Sequence, residues 1–335
     1  MIVAGAGIIG LTCAWRLAQK GMPVRLFDAR ETGAEASWAG AGMLSPGGEV
    51  AEDSPLARMA IDSLAAWPAF VKELEEASGQ SIDYQTCGAI ERACTDEEAQ
   101  ALRQRAAQQA AIGIRSDALN NFDRFYPGDA IVDPRDVTAA LRIACLRAGV
   151  KLHEHEPVLE ILPGGTSVRT AKAVYADDAI LIAAGAWSAT LCPPEFPKSI
   201  PVRGHLIAWD ATGIRLGPIL RYGHTYILQR ARNGRIIAGS STEYAGFDRT
   251  LNESIAAGIH ARASLLLPTL ASLKPSESWL GFRPGLEGDS TGPVIGKIAG
   301  GSPGSSLWAA FGHYRNGILL APETARIVSE SLIGR

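Results

Sequence analysis

The 335-residue chain carries little charge of either sign: charged residues are 20% of the total, and 32 Lys and Arg against 35 Asp and Glu leave a net charge of −3. That balance gives no electrostatic footprint for general nucleic-acid or anionic-membrane binding. Cysteine is scarce as well. The five, at 13, 87, 94, 145 and 192, form no C-x-x-C and no short Cys/His ligand spacing, which excludes a disulfide framework and points to a reducing cytoplasm. Beyond the first nineteen residues no stretch offers the ~18 uninterrupted apolar residues a membrane span needs. Those first residues are punctuated by Gly5, Gly7 and Gly10 and follow no basic segment, so they do not read as an export signal. His153 and His155 share one strand face, but a third ligand is missing and no metal site is expected. Cys87 and Cys94 read as buried thiols. Arg103, Arg105, Arg230, Arg232 and Arg235 read as solvated faces.

Hydrophobic residues at 47% exclude disorder, and the length is enough for two domains. Glycine is the surplus residue. There are 36, of which nine lie in residues 1–50 and ten in 281–317, so 19 of 36 fall in 87 positions at the two ends of the chain. The first cluster has a clear local context. Ile2 to Ala4 is a short apolar strand, Leu11 to Lys20 has helical periodicity ended by Gly21, and Val24 to Phe27 is a second strand terminated by Asp28.

Further along, a helix is expected over Ser54 to Ser78, stopped by Gly79 with Pro68 as a candidate kink, and another from Thr95, with Glu98 completing a capping box, to Ala111. Residues 82–93 look like a strand pair around Gly88, Val137 to Ala148 is helical, and Val150 to Leu162 is strand-like. Ala179 to Ala184 suits a buried parallel strand. Residues 201–245 alternate as an antiparallel sheet, and Leu307 to Phe311 precedes a terminal helix reaching about Leu332. The expected class is α/β, with a discontinuous Rossmann-like cofactor domain (1–81, 136–200, 306–335) and a substrate domain on an antiparallel sheet (82–135, 201–305).

Gly5-x-Gly7-x-x-Gly10 gains its meaning from the flanking strand and helix. Gly5 permits the tight turn, Gly7 lets backbone amides approach a pyrophosphate, and Gly10 allows close helix packing. Asp28 lies where a carboxylate accepts hydrogen bonds from ribose hydroxyls. The spacing leaves NAD and FAD open.

Four further segments share a resemblance: the small-residue run Glu35 to Glu49, Pro157-Val158 with Ala183-Ala184-Gly185-Ala186-Trp187-Ser188, Gly281-Phe282-Arg283-Pro284-Gly285, and Gly312 to Pro322. Together they resemble the flavin-dependent D-amino-acid oxidase superfamily, and most closely the glycine oxidases of the thiamine pathway. The resemblance implies noncovalent FAD. It places Ile8 and Ile9 in the phosphate turn, Asp28 and Ala29 at the adenosine ribose, and Ala36 and Ser37 along the phosphates. It further places Ala41, Gly42 and Met43 at the isoalloxazine ring, Val158 at the adenine edge, and Gly185 among the cofactor residues. His313, Tyr314, Arg315, Asn316, Gly317, Ile318 and Leu319 would close the flavin pocket, where the positive end of a helix from about Gly317 favours a reduced flavin.

For the substrate, the resemblance implies an Arg283 carboxylate clamp assisted by Arg315 and Tyr226, with Gly42 and Met43 on the reacting face. Arg315 as a structural ion-pair partner and Tyr226 as a core residue stay open beside those roles. The implied reaction is oxidation of glycine by hydride transfer to flavin N5, with imine hydrolysis to glyoxylate and ammonia and reoxidation by O2 to H2O2. D-amino-acid, sarcosine or proline oxidation is the alternative, and a non-catalytic FAD-binding paralogue is the rival of another class. The family also implies a homo-oligomer, with tetramers among its members.

Overall fold

The computed structural model describes residues 1–210, 213–288, 292–298 and 306–334. The remaining positions of the expected segments 201–305 and 306–335 lie outside the described residues. One sheet has six strands in the order Val294–Lys297, Leu307–Phe311, Ile180–Ile182, Ile2–Ala4, Arg25–Phe27, Lys151–His153. All neighbours are parallel except Val294–Lys297, which runs antiparallel to Leu307–Phe311 at the edge.

Alternation along these short strands explains how both faces are covered. Ile2 and Ala4 pack with Phe27, Ile180, Ile182 and Val168 of a three-stranded meander on one face. Val3, Leu26 and Leu181 pack on the other against the helices Ile8–Gln19, Pro55–Ser78, Pro134–Arg147 and Gly317–Ile333. A sheet buried on both sides needs such uninterrupted apolar strands. No described helix is long and apolar enough to cross a membrane.

The second sheet has eight strands, with Glu277–Leu286 at one edge, then Ser199–Trp209, Ile236–Gly239, Thr225–Gln229, Ile219–Tyr222, Ala89–Glu91, Arg124–Tyr126 and Asp117–Ala118. Ile207, Trp209, Ile227 and Ile236 bury one face under the helix Glu253–Leu266. Leu206, Tyr226, Leu228 and Trp279 turn the other face toward Ala39 and Ala41, so the glycine-rich N-terminal segment is caught between the two sheets.

Several local expectations match closely. The Ser54 side chain caps Pro55–Ser78, and Gly79 ends it with φ +68°. The helix runs through Pro68 without interruption. Thr95 Oγ1 accepts from the Glu98 amide at 3.2 Å, while the Glu98 carboxylate reaches back one residue further than a capping box requires and accepts from the Cys94 amide at 2.7 Å.

Others need correction. Tyr84–Gln85 and Ala89–Glu91 are not a pair but belong to different sheets. Val150 to Leu162 is broken between Lys151–His153 and Glu160–Ile161, with His155 at φ +55° where the chain turns away. Val294–Lys297 falls within the segment 201–305 yet joins the six-stranded sheet, because it returns directly alongside Leu307–Phe311.

Candidate active site

The strand Ile2–Ala4 delivers the chain into a turn that only glycine fits. Gly5 has φ +108°, and a Cβ there would lie 2.3 Å from the Ala183 carbonyl oxygen. A Cβ on Gly10 would lie 1.8 Å from the Gly5 carbonyl oxygen, so the helix can pack this close only as glycine. The helix Ile8–Gln19 therefore starts directly at the turn, and no local side chain caps it. Ser37, 29 positions away, supplies the acceptor: its Oγ takes the Ile8 amide at 2.9 Å. The Asp28 carboxylate braces the same turn by accepting from the Ala6 amide at 2.6 Å and the Arg30 amide at 2.9 Å. Burial outweighs these bonds and raises the Asp28 pKa.

From this turn a cavity of about 510 Å³ runs between the sheets to Arg283. Of the residues expected to hold the cofactor, Gly5, Gly7, Ile8, Ile9, Asp28, Ala29, Ala36, Ser37, Ala41, Gly42, Met43, Val158 and Gly185 line it, as do His313 through Ile318. Two do not. Gly10 acts on the turn only through helix packing. Leu319 is core: its side chain is buried and its carbonyl accepts from Ser63 Oγ at 2.7 Å and Trp67 Nε1 at 2.9 Å.

The opposite wall is the N-terminus of Gly317–Ile333, which has no side-chain cap, so its first amides and positive dipole end sit beside the cavity. His313 precedes it, fully enclosed with Nε2 3.0 Å from Thr324 Oγ1. Burial lowers its pKa to about 3, so the imidazole is neutral.

Arg283, Arg315 and Tyr226 also line this cavity. Arg283 donates from Nη1 to the Ser241 carbonyl at 3.1 Å and from Nη2 to Ser240 Oγ at 2.8 Å, and among the described residues no carboxylate lies within ion-pair distance. Burial lowers its pKa, with Arg315 adding repulsion. Arg315 is different. Its Nε lies 3.1 Å from both Glu49 oxygens and its Nη2 3.0 Å from Oε1, and this carboxylate overcomes burial to raise its pKa. Tyr226 is buried with its pKa raised by burial, which Arg283 and Arg315 oppose.

The residues that local sequence did not single out are those acting across the fold. Glu49 is one. Gly204 is another, since a Cβ there would stand 2.2 Å from Arg283 Nη1. Arg230, read as part of a solvated face, is only 3% exposed. It donates to the Val132 carbonyl at 2.9 Å and the Ala41 carbonyl at 2.6 Å, which anchors the segment lining the cavity. It directly follows the strand Thr225–Gln229 and turns inward, a placement that its neighbours Arg232 and Arg235 disguise.

A channel that begins at a glycine turn and ends at a guanidinium with no carboxylate partner among the described residues suits an oxidoreductase with a nucleotide cofactor and an acidic substrate. The family of FAD dependent oxidoreductases (DAO) matches residues 1–331, and the chain belongs to it. It is 33% identical to a glycine oxidase from Pseudomonas aeruginosa, over 100% of this chain and 95% of that protein. It is 31% identical to one from Geobacillus kaustophilus, over 98% and 91% respectively. The crystal structure of the G. kaustophilus glycine oxidase superposes with a TM-score of 0.93 at 30% identity, covering 100% of this chain and 94% of that one.

The residues present fit FAD: the turn residues Gly5, Gly7, Ile8 and Ile9 line the cavity at one end, and the N-terminus of Gly317–Ile333, which no side chain caps, faces it.

Proposed function

We propose that this chain catalyses FAD-dependent oxidative deamination of glycine or a similarly small amino acid. The observation that carries the reading is Arg283, a desolvated guanidinium with only neutral partners in the cavity that starts at the glycine turn. The glycine oxidases similar over nearly the whole chain support the substrate class.

In this reading the Gly5 to Ile9 turn, Asp28, Ala29, Ala36, Ser37, Val158 and Gly185 hold the adenosine and phosphates. Gly42, Met43 and the Gly317 helix N-terminus flank the flavin. Gly10 and Leu319 keep only structural roles. The cofactor domain is assembled from both chain ends around an interrupting substrate domain, with Val294–Lys297 transferred to the cofactor part.

The chemistry FAD supplies when bound is two-electron oxidation of the substrate Cα–N bond, with O2 as terminal acceptor. The protein's part is orientation. Arg283 fixes the carboxylate through a bidentate pair, and Tyr226 supports it from the same sheet, three strands along. Neutral His313 adds no charge to the pocket. An amine entering unprotonated needs no general base, so no proton-transfer residue is assigned. A cytoplasmic homo-oligomer, a tetramer in particular, completes the proposal and is read by sizing the purified protein.

The deciding experiment is anaerobic addition of glycine to the FAD-loaded protein. Bleaching of the flavin absorbance, followed by H2O2 release on admission of air, is the expected result. An unchanged spectrum with glycine, sarcosine and D-alanine alike would identify a protein that binds FAD without this chemistry.

A further inference from the structure

Two arginines line the substrate end of the cavity, but their charges are not equivalent. Arg283 is held by a carbonyl and a hydroxyl and is in direct contact with no carboxylate among the described residues. Arg315 is held by the Glu49 carboxylate at 3.0 to 3.1 Å through Nε and Nη2, so that guanidinium has already spent its fork on an internal anion. Glu49 itself lines the cavity and ends a short helical turn, Pro46–Glu49, in the glycine-rich segment packed against both sheets. Its ion pair spans 266 positions of sequence and is partly buried, with side-chain exposures of 17% for Glu49 and 25% for Arg315. Screening by water is reduced there, and the pair persists more strongly than at an open surface.

We propose that Glu49 is a specificity-determining residue: by occupying Arg315 it leaves one free cationic fork in the site and so restricts the enzyme to substrates with a single acidic group. A ligand with two carboxylates would have to displace Glu49 from Arg315 or place its second anion beside the Glu49 carboxylate. Either route costs affinity. Removing the Glu49 charge frees the second fork and turns a monocarboxylate site into a dicarboxylate site. The proposal rests on the cavity being the amino-acid site of the preceding section, and its test separates the two.

The test uses FAD-loaded protein and two ligands that have no amine to oxidise, acetate and succinate, followed by perturbation of the flavin absorbance. Wild type should bind succinate no more tightly than acetate. In Glu49→Gln the succinate-to-acetate affinity ratio should rise roughly tenfold or more, as a newly available charge-assisted fork predicts. Glu49→Asp should keep the wild-type ratio, and Glu49→Gln combined with Arg315→Met should lose the gain, which ties it to Arg315 rather than to a looser pocket. A ratio unchanged within twofold in Glu49→Gln, or a wild type that already prefers succinate tenfold, would overturn the proposal. If the variants bind FAD poorly, the wild-type ratio alone decides on the second criterion. Glycine turnover by wild type reports on the oxidase reading independently of these ratios.

Discussion

Gly204 and Arg283 sit on neighbouring antiparallel strands so that Arg283 Nη1 occupies the space beside Gly204, 2.2 Å from where a Cβ would be. The atom in conflict is the tip of a flexible side chain, so an added methyl group would be accommodated by moving the guanidinium rather than the sheet.

Gly204→Ala should therefore damage substrate binding more than folding. The expectation is a glycine KM raised roughly tenfold with a smaller change in kcat, and a melting temperature near wild type, because a displaced carboxylate clamp costs binding geometry. Arg283→Ala is the reference: it should lower kcat/KM for glycine by roughly a hundredfold or more through loss of the charge-assisted pair. An Arg283→Ala enzyme within a few-fold of wild type would remove the clamp assignment for both residues.

His313 supplies a stability signature in pH. Burial lowers its pKa from 6.5 to about 3, so an unfolded chain binds a proton there that the folded one does not. Stability is unaffected above pH 6.5 and is lost as pH falls from there toward 3, by at most about 1.4 kcal/mol per pH unit from this group. His313→Gln should flatten that acid slope by close to one proton. Denaturant melts at pH 7.5 and 5.0 measure it, and parallel slopes in the two proteins would show that the imidazole protonates in the folded state.

None of the five cysteines lines the cavity, and the thiols of Cys13, Cys145 and Cys192 are pushed up to about 12 by burial. Acid precipitation should then leave the flavin in the supernatant. A yellow pellet would demonstrate a covalent link through some other residue.

Legibility of the sequence followed the range of the interaction. The glycine turn, Asp28, the helix start at Ser54 and the Thr95 cap are each encoded within a few residues and are readable there, whereas a role for Arg283 comes only through the resemblance. Glu49, Gly204 and Arg230 act through partners 266, 79 and 98 positions distant, and no local periodicity marks them. Arg230 was misread for a specific reason: it precedes Arg232, an exposed arginine that pairs with Asp136 at 2.9 Å, and only the sheet interface separates their fates. The same applies to Ser37, whose role as a cap for Ile8 depends on a 29-residue excursion. The resemblance places it along the phosphates and does not bring this hydrogen bond with it.

The central strands also impose an order of events during synthesis. Ile2–Ala4 pairs with Ile180–Ile182, which in turn pairs with Leu307–Phe311. Pairings this distant are slow, because loop closure must precede the contacts that reward it. Ile2–Ala4 can pair early with Arg25–Phe27 on one side, but its other edge must wait until Ile180–Ile182, and after it Leu307–Phe311, has left the ribosome. The cofactor channel cannot exist on a nascent fragment, which makes truncated products of this gene empty of flavin and prone to associate through that waiting strand.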